Sequence, residues 1–180
     1  MRRMATLTTA VMMLAATAVG LTDGALRQIK LTLTGHKEVP VISTTGRGTF
    51  SATINREETE IRYRLEYTDL EGAVLQSHIH FGPPNNTGGI SVWLCSNLAS
   101  PPTPAGVQPC PAPGGAMEGI ATAADVVGPT AQGIEPNAFA ELISAIKNGK
   151  TYVNVHSSKW PAGEIRSQIP ADGHDSNDHK

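Results

Sequence analysis

This chain has no block of lysines and arginines, no unbroken apolar run of bilayer length, no Gly-x-Gly-x-x-Gly or P-loop, and no Gly-x-Ser-x-Gly elbow. Each absence removes a class of function. Fourteen Lys and Arg stand against sixteen Asp and Glu, so phosphate binding has no electrostatic footing and nucleic acid is not an expected partner. Without the glycine-rich loops or the elbow, nucleotide and serine-hydrolase chemistries have no motif to rest on. No fixed-period repeat is present. Cysteine is scarce, with only Cys95 and Cys110. In an exported chain two cysteines fit one disulfide; the alternative, a pair of thiolate metal ligands, finds no matching ligands nearby.

What is present begins with Arg2 and Arg3 followed by a small, apolar run over residues 5–21, the charged and apolar regions of a secretory signal. Thr6, Thr8, Thr9 and Thr17 dilute that run and argue against a membrane span. The expected layout is a signal over residues 1–25, one domain over 26–170 and a polar tail over 171–180. Such a layout implies a secreted or periplasmic protein with no membrane span in its mature form.

Within the domain, period-2 alternation predicts strands. Residues 28–36 place Ile29, Leu31 and Leu33 on one face; residues 47–55 offer Phe50, Ala52 and Ile54; residues 60–68 alternate Ile61, Tyr63, Leu65 and Tyr67 with charges. A polar connection makes the second and third a hairpin. Further strands are expected over 73–81, 90–95, 117–125, 151–156 and 164–169, with an irregular Pro/Gly-rich loop over 98–115 tethered by the disulfide. Pro136 opens the one convincing helix, in which Phe139, Leu142, Ile143 and Ile146 recur at helical spacing before Asn148-Gly149 closes it. Many short strands without βαβ alternation predict an all-β sandwich or barrel with one short helix.

The chemistry-bearing residues are histidines. His78 and His80 are two apart on a strand, so their side chains share a face about 7 Å apart, a spacing at which one metal ion fits between them. His156 lies on the polar face of a later strand, opposite Val153 and Val155. Neutral imidazole suits copper and zinc without a thiolate. The competing reading is three solvated surface histidines. His36 reads as exposed, with a fourth-ligand role as its alternative, and His174 and His179 belong to the acidic tail. Glu38 and Glu164 adjoin Lys37 and Arg166 and are expected to form structural ion pairs rather than an acid-base pair.

Taken together, Leu33-Thr34-Gly35-x-x-Glu38-Val39-Pro40, Ser77-His78-Ile79-His80-Phe81-Gly82, and Tyr152-Val153-Asn154-Val155-His156 with Pro161-x-Gly163-Glu164-Ile165-Arg166-x-Gln168 resemble the CHRD domain family over residues 28–169. That family usually has a small residue at the position of His36, so no role passes to it. More remotely, the His-Ile-His-Phe-Gly and Val-x-Val-His segments resemble the copper strands of copper/zinc superoxide dismutase, an immunoglobulin-like Greek-key β-barrel. That resemblance implies copper ligation by His78, His80 and His156, and sets Arg166 beside the dismutases' anion-guiding arginine. The dismutases carry a copper-zinc bridging histidine soon after Phe-Gly, whereas residues 82–89 here contain none. The expectation is therefore a copper-binding or copper-handling module, zinc being possible as the metal. A copper-dependent dismutase-like oxidoreductase and a metal-free extracellular interaction module are the alternatives.

Overall fold

The computed structural model describes residues 27–100 and 102–172. The expected signal and most of the polar tail, including His174 and His179, lie outside these residues. Eight antiparallel strands form one sheet: β1 (Arg27–Thr34), β2 (Arg47–Ile54), β3 (Ile61–Thr68), β4 (Val74–Phe81), β5 (Gly89–Ser96), β6 (Gly115–Ala121), β7 (Thr151–Ser157) and β8 (Ile165–Ile169). Their order is β5-β4-β7-β8-β1-β2-β3-β6. The sheet curls into a nearly closed barrel, and an isolated bridge between Val92 of β5 and Val126, just beyond β6, draws its two edges together. This is the all-β architecture expected from the alternation.

The meander β1-β2-β3 follows from side-chain chemistry. Strands β1 and β2 pair over eight residues, as do β2 and β3, placing Leu31 opposite Phe50 and Phe50 opposite Leu65. Every second residue faces the core, and Leu33, Phe50 and Leu65 are at most 1% exposed. Asn55 sets the hairpin turn, because its Oδ1 accepts from the backbone N–H groups of Thr59 and Glu60.

Helix α1 (Phe139–Lys147) starts three residues later than Pro136. Asn137, at φ +67°, makes the turn before it, and no regular helix includes a residue in that conformation. Phe139, Leu142, Ile143 and Ile146 bury one stripe against the barrel, and Gly149 at φ +65° ends the helix as expected. Strand β6 is likewise displaced from the expected 117–125, since Thr122 and Asp125 form a reciprocal cap that bends residues 123–125 into a single 3-10 turn. Cys95 and Cys110 are joined by a disulfide that ties the Pro/Gly-rich loop to β5. Among the described residues no helix is long and apolar enough to cross a membrane.

Candidate metal centre

Strands β4, β7 and β8 sit side by side, and their odd-numbered Ile79, Val153, Val155 and Ile165 belong to the barrel core. Alternation sends the even-numbered residues through the other side of the wall. In the paired register His78 stands across from Asn154 and His80 from Tyr152, and the same unbroken register sets His156 across from Gln76, one step along from His78. One nitrogen from each of His78, His80 and His156 lies within 4.8 Å of the others. The ring centres of His78 and His80 are 5.1 Å apart and those of His78 and His156 5.0 Å.

This face is not solvated. His78 is fully buried, and His80 and His156 are 7% and 6% exposed. The reading of three surface histidines is therefore corrected. Strand alternation identifies the face opposite the core but is blind to what folds back over it. Here the loop after β4 and the loop after β7 cover that face. Arg166 holds the first, its Nη2 donating to the carbonyls of Pro83, Pro84 and Asn86 at 3.0–3.3 Å. Gln168 Nε2 adds bonds to the carbonyls of Gly82 and Gly149.

The loops also orient the rings. His80 Nδ1–H donates to the Gly88 carbonyl at 2.9 Å, and His156 Nδ1–H donates to the Pro161 carbonyl at 2.9 Å. A carbonyl only accepts, so each bond fixes the proton on Nδ1 and leaves Nε2 unprotonated, the tautomer in which Nε2 can act as a donor to a metal. His156 Nε2 lies 3.2 Å from His78 Nδ1 and 3.0 Å from Asn154 Oδ1. With His156 Nε2 as acceptor, His78 Nδ1–H donates to it. The Nε2 atoms of His78 and His80 are then buried lone pairs without a partner. Unpaired buried polar atoms cost stability, and a cation is one group that satisfies several of them at once.

Electrostatics keep the rings neutral. Burial pushes the His78 imidazole down to about 2, aided by repulsion from His156 and His80. Burial also pushes His80 down to about 4, opposed by its bond to Gly88, and lowers His156 against the pull of Pro161. The rings are packed by aromatics: Trp93 meets His78 edge-on at 4.3 Å, and Tyr152 stacks parallel on His80 at 4.7 Å. An ion shared by donors about 2.0–2.1 Å away requires them within about 4.2 Å of each other, so the outermost pair need close by less than an ångström.

Other expected residues fall outside the cluster or change role. His36 is exposed on the turn after β1 and is not among the three. The expected ion pairs of Glu38 with Lys37 and of Glu164 with Arg166 do not form among the described residues. Lys37 Nζ instead donates to the Thr32 carbonyl and Ser167 Oγ, and Glu164 Oε1 accepts from Thr44 Oγ1 and the Glu71 amide. Lys37 lies in the turn after β1 and reaches back to that strand, and Arg166 is taken up by the carbonyls of the loop after β4, so closeness in sequence misled. Glu38 faces the charge of Arg166 at a distance; its carboxyl is pushed up to about 7, burial outweighing that guanidinium. A cleft of about 500 Å³ borders both residues, with Val39, Val41 and Pro84 on its rim.

Asn154, Tyr152, Trp93 and Gly88 were not assigned to the site by sequence reasoning. The first two share the even-numbered face of β7 with His156, a signal visible in the alternation; Trp93 and Gly88 carry no such signal. Gly88 is required because a Cβ there would collide with the Phe81 carbonyl. The family model of the CHRD domain matches residues 29–169. No curated protein and no solved structure matches the chain.

Proposed function

The chain belongs to the CHRD domain family, and from that membership together with its imidazole cluster we propose an exported module that binds copper through His78, His80 and His156 and stores or hands on the ion. One observation carries the reading. Three buried imidazoles converge within 4.8 Å, two with their protons held outward by backbone carbonyls and two with an inward nitrogen that has no partner. A core packed for stability alone has no reason to gather three mutually repelling bases and leave nitrogens unpaired.

Bound copper would supply a one-electron redox centre held by nitrogen donors. The chain's own contribution is to keep the rings neutral, fix their tautomers and exclude water by the two loops. Residues 82–89 contain no histidine, so the bridging imidazole of a dismutase centre is missing, and binding is the function supported rather than dismutation. Zinc is the alternative ion for the same donors. Export rests on the amino-terminal signal pattern alone.

The test is electron paramagnetic resonance of the Cu(II)-loaded mature protein. Hyperfine coupling to nitrogen is expected in the parent and is lost in the H78A/H156A double variant. A parent without such coupling, or a double variant that keeps it, refutes the assignment.

A further inference from the structure

An ion held by His78, His80 and His156 is surrounded by neutral donors, because among the described residues the cluster contains no carboxylate or thiolate. Transfer of an ion into a poorly polarisable interior is penalised by the square of its charge, so a divalent ion suffers roughly four times the penalty of a monovalent one unless anions compensate. The fixed charge nearest in the stack is instead positive. Arg166 is 1% exposed, and its guanidinium carbon lies 3.4 Å from the centre of the Tyr152 ring. That ring is parallel to His80 at 4.7 Å, so the guanidinium is within about 8 Å of a ligand ring. Tyr152 between them is 2% exposed, and water does not screen the path. The carboxyl facing Arg166, Glu38, is buried as well and does not belong to the donor set.

Resting on the copper reading, we propose that Arg166 is the specificity-determining residue of this centre, its buried guanidinium biasing the three imidazoles toward the monovalent soft cation Cu(I) over Cu(II) and Zn(II). Copper in its lower state also accepts three nitrogen donors, whereas zinc sites draw a fourth ligand. A unit charge on the order of 10 Å from the ion in a protein interior separates a monovalent from a divalent ion by about tenfold in affinity, which corresponds to about 59 mV in a one-electron potential.

Arg166 also clamps the loop over the site, so charge and clamp must be separated. Reduction potentials of the copper-loaded parent, R166Q and R166K are read by redox titration followed through the Cu(II) resonance. The expected result is an R166Q potential at least about 59 mV below the parent, with R166K remaining close to it. An R166Q potential equal to or above the parent's overturns the proposal, as do equal shifts in R166Q and R166K, which mark a clamp only. Should R166Q fail to fold, R166M takes its place in the titration: a potential at least about 59 mV below the parent supports the proposal, and one equal to or above the parent's overturns it. A parent that retains neither Cu(I) nor Cu(II) after desalting refutes the copper centre itself, and the inference with it.

Discussion

Acidification from pH 7 to pH 5 is expected to weaken the metal-free protein, with a magnitude set by the buried imidazoles. In the unfolded chain histidine titrates near 6.5, whereas burial holds His78 near 2 and His80 near 4 in the fold. Between the two values the unfolded state binds protons that the folded state refuses, so stability falls as pH drops below about 6.5. At pH 5 each of these two residues has cost about 2 kcal/mol relative to neutrality. Glu38 acts in the opposite sense, because its folded value of about 7 exceeds its unfolded one and protonation in that window favours the fold by about 2 kcal/mol. The resulting loss is about 2 kcal/mol, to which His156, also shifted down, adds in the same direction. Equilibrium urea unfolding at the two pH values reads it directly: with a slope near 2 kcal/mol/M, the midpoint should drop by about 1 M or more at pH 5. Glu38→Gln removes the offset and should steepen the fall. A midpoint that is unchanged or higher at pH 5 refutes the burial of neutral imidazoles.

The remaining expectations concern the loops and rings around the cluster. Replacing both Cys95 and Cys110 by serine opens the loop closed by that disulfide and should cost about 3 kcal/mol in the same unfolding assay, with no loss of copper coupling. Gly163→Ala forces a side chain at φ +134° with its Cβ 2.5 Å from Glu38 Oε1 and 2.9 Å from Asn154 Nδ2, so a loss of about 1–3 kcal/mol and a weaker copper affinity should be seen by denaturation and chelator competition. Trp160→Phe leaves Trp93 as the sole tryptophan of the chain; with its ring 4.3 Å from His78, its fluorescence should be quenched by more than half on titration with one equivalent of Cu(II), and an unquenched signal places the ion elsewhere.

Much of this protein was legible in its sequence because the information is local. Two-residue alternation in stretches such as Ile61-Arg62-Tyr63-Arg64-Leu65 reports a strand with one buried face, and the i, i+3, i+4 recurrence from Phe139 to Ile146 reports a helix stripe, whatever the rest of the chain does. The same rule put His78, His80 and His156 opposite the core residues of their strands, and the structure brings those three together. Element ends were less legible where a capping contact or a single left-handed residue decided them, as at Asn137 and at the Thr122–Asp125 cap.

Tertiary structure alone decided the environment of the cluster. Antiparallel pairing of β4 with β7 brings His156, 76 residues beyond His80, beside His78. Loops carrying Gly88 and Pro161 then bury the face and fix the tautomers, contacts made between segments with no shared sequence pattern. Arg166, only two positions from Glu164, bonds instead to carbonyls eighty residues earlier while Glu164 is taken by Thr44 and the Glu71 amide, because packing of distant segments supplies each group with its partner. Local periodicity thus determined which side chains could face one another, and long-range packing determined that they do so away from water, as neutral bases.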